Sequence, residues 1–153
     1  RLPRTLVVRV RERRPLAVLK STPAVLLDRE GMILGPAAAA EHHEYVQISG
    51  AAPAAARVGT LVDEKVRSAL DLLAFLRARA VFERQQVRRL ALTESGAIEV
   101  HLQPSHSIVV MRAGDFAGQV ERFDAVTSTL GTNPPTRLRI DVTFAGQAVV
   151  RPL

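Results

Sequence analysis

The chain has 153 residues, 47% hydrophobic and 24% charged, with 21 Lys and Arg against 15 Asp and Glu, for a formal net charge of +6. That length suits one typical domain or two small ones, and the composition excludes the disordered and collagen-like classes. Without cysteine there is no disulfide, thiolate metal site or thiol nucleophile, and no run approaches the roughly 20 apolar residues of a membrane helix.

The opening "RLPRTLVVRV" carries no signal pattern and begins with strand character already under way. It reads as the downstream part of a longer protein whose anchor, if any, precedes Arg1. From Leu6 to Val10 and Leu16 to Leu19 apolar residues recur with period two, while Arg9, Arg11 and Arg13 fall on the other parity. This pattern predicts a half-buried strand with a wet, arginine-lined face. "PAVLLDREGMILGP", Pro23 to Pro36, holds two apolar runs around Asp28, Arg29, Glu30 and Gly31, which predicts a hairpin.

The stretch "AAAAEHHEYVQISGAAPAAARVG" is rich in Ala, Pro and Gly, with a short strand expected only at Tyr45 to Ile48, and it is the best boundary between halves. Then the period changes. Val62, Val66, Ala69, Leu70, Leu73, Leu76 and Ala80 lie three or four apart and predict an amphipathic helix. "VRRLALT", "AIEVHLQ" and "HSIVVMRAG" return to strand character and predict an antiparallel meander. Phe116, Val120, Phe123, Thr127 and Leu130 mark a second helix after Gly114 and Asp115, stopping at Gly131. "RLRIDVTFAGQAVVRPL" predicts two strands around Ala145 and Gly146, the last at Gln147 to Arg151. Nothing after that strand except Pro152 and Leu153 is available to cover it, so one edge is expected to stay open to another chain.

Signs of catalysis are weak. In Glu41, His42, His43 and Glu44 the histidines are adjacent and lack the i, i+4 spacing of a helical zinc site, so a solvated polar loop is expected and no metal. His101 in a strand and His106 in a turn are ordinary positions. No nucleophile elbow and no glycine-rich phosphate loop is present, and Ser95 and Ser105 read as turn residues. The arginines raise nucleic-acid binding, but aromatics make up 4% of residues and fall mostly on the helical stripes. A wet sheet face is the preferred account.

Taken in order, "RLPRTLVVRVRERRPLAVL", "AVLLDREGMIL", "YVQISG", the helix from Val62, "GAIEVHLQ", "HSIVVMRAGD" and "RIDVTFAGQAVVRP" resemble the bacterial cell-division FtsQ family, called DivIB in Gram-positive bacteria. The resemblance rests on Leu2-Pro3, Thr5-Leu6, Val8, Val10, Glu12-Arg13, Pro15 and Ala17, on Leu26-Leu27-Asp28 with Gly31, and on Ile140-Asp141-Val142 through Phe144, Gly146, Ala148 and Val149. It implies an α+β fold: residues 1–40 are the C-terminal part of a POTRA domain, with strands ending by about Pro36. Residues 41–153 then form an FtsQ-type β domain, a curved antiparallel or mixed sheet with two flanking helices.

The resemblance further implies a non-enzymatic division scaffold, without cofactor or small-molecule substrate. It would be the periplasmic, extracytoplasmic part of a single-pass inner-membrane protein whose anchor lies upstream. Its partners would be FtsB and FtsL, bound by strand addition at the last strand, and it would help to regulate septal peptidoglycan synthesis. By position the partner-binding residues are Thr143, Phe144, Gly146, Ala148, Val149, Val150 and Arg151. The chain departs from the family at Thr143-Phe144, where Arg-Tyr is frequent, and at Arg151, where an aromatic is common. The alternative is a POTRA-containing component of outer-membrane assembly or secretion that binds unfolded strands.

Overall fold

The alternation of apolar and polar residues resolves into nine strands of one mixed sheet in a computed structural model that describes residues 7–8, 12–51, 57–79, 81–130 and 137–153. In chain order the elements are β1 (Ala17–Leu19), β2 (Val25–Leu27), β3 (Ile33–Pro36), α1 (Glu41–Glu44), β4 (Val46–Ser49), α2 (Glu64–Arg77), α3 (Val81–Arg84), β5 (Gln86–Leu92), β6 (Ala97–Gln103), β7 (Ile108–Arg112), α4 (Phe116–Leu130), β8 (Leu138–Asp141) and β9 (Val149–Pro152). The spatial order is β3-β2-β1-β4-β5-β6-β7-β8-β9.

Among the described residues parallel pairings occur at β1–β4, β4–β5 and β7–β8. A parallel neighbour needs a crossover, and α2 with α3 supplies it between β4 and β5, as α4 does between β7 and β8. The expected meander is the antiparallel run β5–β6–β7. Both long helices pack on the same face of the sheet, because Val66, Ala69, Leu70, Leu73 and Leu76 of α2 and Val120 and Phe123 of α4 share one core with every second residue of the strands.

Local signals account for the helix starts. Asp63 caps α2, its carboxylate accepting from the Val66 N–H at 2.9 Å. Asp115 does the same before α4, accepting from the Gly118 N–H at 2.9 Å. The buried Gln119 then ties the end of β7 to this turn. Its Oε1 accepts from the Arg112 N–H at 2.8 Å, and its amide donates to the carbonyls of Arg112 at 3.0 Å and Asp115 at 2.9 Å.

Several expectations need correction. Val7 and Val8 are 75% and 70% exposed and lie outside any strand. Among the described residues the first strand is β1, and all three of its residues are buried because it sits inside the sheet between β2 and β4. Arg9 and Arg11 fall outside the described residues. Arg13 is no free comb tooth, since its guanidinium bonds the carboxylates of Asp28 and Glu30, the latter at 2.7 Å. Glu41–Glu44 forms one helical turn, not a loop, with no buried residue. A further turn of helix, α3, follows α2.

Candidate functional site

Which backbone groups of the sheet lack a partner depends on its two outermost strands, and the two ends are built differently. At the β3 end a strap of residues 59–62 covers the outer edge. The Ile33 N–H donates to the Thr60 carbonyl at 2.9 Å, the Ile33 carbonyl accepts from Gly59 at 2.8 Å, and the Val62 N–H donates to the Gly31 carbonyl at 2.9 Å. At the other end β9 pairs with β8 on one side, and no strand follows it among the described residues.

The register fixes which β9 groups face outward. Leu153 donates to the carbonyl of Arg137, the residue directly opposite, at 3.0 Å. In an antiparallel ladder such hydrogen-bonded pairs alternate with pairs whose groups point away. Arg151 with Arg139 and Val149 with Asp141 therefore exchange bonds inside the sheet, whereas the N–H and C=O of Val150 point outward. Pro152 adds only a carbonyl to that edge, having no N–H. The closing strand thus spans Val149–Pro152, shifted toward the C-terminus from the expected Gln147 to Arg151.

The seven residues nominated from the sequence lie along this edge and the turn leading into it. Thr143 lies just past β8, its N–H and hydroxyl donating to Asp141 Oδ1 at 3.0 and 2.7 Å. Phe144 is 48% exposed at the turn, and Gly146 takes φ +72°, a conformation costly for a side-chain-bearing residue. Ala148 and Val149 are half-buried, while Val150 and Arg151 are exposed. Val150 shares the helix-side face with Ile140, its direct partner, and Arg151 shares the opposite face with Arg139.

Sequence reasoning missed the ground beside that edge. An open groove of about 490 Å³ runs between α4 and β9, with Ala125, Val126, Leu130, Ala148 and Val150 as its apolar lining. Leu130 reads as the last core residue of the α4 stripe, yet it is 47% exposed and belongs to this groove. Arg122, at the groove's margin, donates from Nε to the Val142 carbonyl at 3.0 Å and so fixes the end of β8 to α4.

On the helix-free face a polar row crosses the sheet. Arg89 Nη2 lies 3.1 Å from His101 Nε2, and Glu99 accepts from Arg139 at 2.7 Å and stands 3.8 Å from His101. Burial and the neighbouring Arg89 lower the His101 pKa from its ordinary value, and Glu99 only partly opposes them. Its imidazole is therefore favoured neutral. Among the described residues no three His, Asp or Glu side chains are placed to hold a metal ion. No helix among them is long and apolar enough to cross a membrane.

The molecule is thus an α+β protein whose mixed sheet is strapped at one end and, among the described residues, has no strand beyond β9 at the other, consistent with a POTRA/FtsQ-like fold. No family model matches the chain. It is similar to the cell division protein FtsQ of Geotalea daltonii, 23% identical over 151 residues, which cover 98% of this chain and 55% of that protein. The chain thus spans about 55% of that relative's length. Order of motifs, fold and alignment together support an FtsQ-family relationship.

Proposed function

We propose that this chain is a non-catalytic part of a bacterial cell-division scaffold that binds a partner of the FtsB and FtsL type by taking its strand onto β9. The observation that carries this reading is the contrast between the two sheet ends: β3 is bonded to its own strap, and β9 presents the Val150 N–H and C=O to solvent. Main-chain pairing supplies affinity and alternate side-chain positions supply selectivity in this mode of recognition. The name of the relative, a cell division protein, supports the cellular context. In this reading residues 1–40 are the end of a POTRA domain and residues 41–153 the β domain. The chain lies outside the cytoplasm, in a protein tethered to the inner membrane, and acts on septal peptidoglycan synthesis through its partners.

The contact residues are Thr143, Phe144, Gly146, Ala148, Val149, Val150 and Arg151. Backbone capture needs no side-chain identity, which is why the departures at Thr143, Phe144 and Arg151 leave the mechanism intact while changing what the partner presents. The test is isothermal titration of the chain with the extracytoplasmic segment of the cognate FtsB-type protein. Val150→Pro deletes the outward donor and is expected to weaken binding several-fold or more, with the circular dichroism spectrum unchanged. Undiminished affinity in that folded variant would remove the edge from the mechanism.

A further inference from the structure

The register places two arginines face to face at the open end of the sheet. Arg139 and Arg151 are direct cross-strand partners on the helix-free face, and like charges in that relation repel. Arg139 is compensated by Glu99 at 2.7 Å. Arg89, His101, Ile108, Arg139 and Arg151 follow one another strand by strand in one row, and Glu99 stands in the neighbouring row, two residues from His101 on β6. Asp141, diagonal to Arg151 across the ladder, has one carboxylate oxygen engaged by the Thr143 N–H and hydroxyl. Arg151 is exposed and makes no ion pair among the described residues. The row reaches the sheet edge with a positive charge unanswered.

The other face of the same strand has the opposite character. Val150 and Ala148 open onto the apolar groove beside α4, where Ala125, Val126 and Leu130 lie within reach of a further strand. A guest strand pairs about 4.8 Å from β9, and its side chains alternate between the two faces whatever its direction. The residue beside Arg151 projects onto the helix-free face, and the residues before and after it project into the groove.

The geometry points to a guest segment that alternates aliphatic and acidic side chains, with a carboxylate seated beside Arg151 and aliphatic groups turned into the α4 groove. This inference rests on strand addition at β9 and adds the chemistry of the partner. The carboxylate relieves the Arg139–Arg151 repulsion and extends the row by one charge of the missing sign. A second copy of this chain, with its net charge of +6 and its own arginine pair, is the poorer guest.

The experiment is an amide-resolved magnetic-resonance titration of the chain with two blocked heptapeptides, one alternating valine and glutamate, the other valine and lysine. The acidic peptide is expected to shift the Val150 amide and to bind about fivefold more tightly than the basic one. That advantage shrinks in about 0.5 M salt as the charges are screened. Arg151→Ala should bring the two peptides to equal affinity, and Arg151→Glu should reverse their order in a chain whose circular dichroism is unchanged. Equal binding of both peptides at Val150 in the unaltered chain overturns the acidic pattern and leaves strand addition standing. No shift of the Val150 amide with either peptide overturns strand addition and this inference with it. Concentration-dependent shifts at Val150 without peptide overturn it in favour of self-pairing.

Discussion

Neighbouring residues of β9 have opposite duties in the ladder, and proline placed at each in turn separates them. The Val149 N–H belongs to the pair that bonds Asp141 within the sheet, whereas the Val150 N–H faces water. Val149→Pro deletes a ladder bond worth about 1 kcal/mol net and leaves the Asp141 carbonyl, at a half-buried residue, without its donor, so a loss of about 1–3 kcal/mol is expected. Val150→Pro removes a donor already solvated at an edge, where proline is tolerated, and its cost should stay below about 1 kcal/mol. With a urea slope of about 1–3 kcal/mol per molar, Val149→Pro should lower the unfolding midpoint by about 1 M, and Val150→Pro by a small fraction of that. Far-ultraviolet circular dichroism across a urea series reads both. Equal destabilisation by the two substitutions would refute the assigned parity, and with it the claim that Val150 carries the outward donor.

Two other consequences concern the frame that holds the edge. Burial of the Asp28 carboxyl opposes ionisation, but bonds from Arg13 and from the Met32 and Glu30 amides outweigh it and hold its pKa below the ordinary carboxylate value. The folded state takes up the proton less readily than the unfolded chain, so this contribution is complete above about pH 4 and disappears on further acidification. Arg13→Met should therefore lower stability at neutral pH and flatten the acid limb of the stability curve, and an unaltered limb would exclude the pair as its source. Gln119→Leu strips three hydrogen bonds from the junction of β7 and α4, with an expected cost of about 2–4 kcal/mol. In a calorimeter that is a fall of about 5–15 °C in Tm for a chain of this size, and a fall under a degree would show that the junction is held by other contacts.

What the sequence made legible follows from how strictly each element is patterned. α2 is a one-faced helix, so Val66, Ala69, Leu70, Leu73 and Leu76 were placed correctly by their spacing, and Leu72 joins them in the core. The hairpin at Asp28 to Gly31 was equally readable, because Asp28 accepts the turn amides and Gly31 takes φ +81°. The β5–β6–β7 meander follows from short connections that leave antiparallel pairing as the only simple geometry. Long-range order was not readable. Nothing local states that β1 pairs with β4 in parallel across an intervening hairpin, or that residues 59–62 return to strap β3. Alternation misled at β1 because a central strand is buried on both faces and its apolar run needs no wet side. Chain order pointed to an open last strand and family likeness nominated the seven residues there, whereas the groove beside them was missed because Leu130 carries the same signature whether it faces the sheet or solvent.

An open edge invites promiscuous pairing, and this one is restricted by its own residues. Edge strands are kept from unwanted partners by short length, charge and proline, and β9 has all three: four residues, Arg151 and Pro152. The outward donor within it is the Val150 N–H, so a guest gains few main-chain bonds there. At about 1 kcal/mol net each, two or three such bonds are too weak to hold a partner against the entropy of association. Side chains on either face of the guest then have to add to the affinity that main-chain pairing begins, which is where the α4 groove and Arg151 lie. The same brevity that protects the edge from indiscriminate pairing therefore makes selection depend on the alternation of the guest. A longer apolar β9 would bind more and discriminate less. Extending the outward donors by Pro152→Val tests this: the valine–lysine heptapeptide should gain more affinity than the valine–glutamate one, narrowing the ratio between them, and a ratio that stays fixed would show that the brevity of the edge has no part in selectivity.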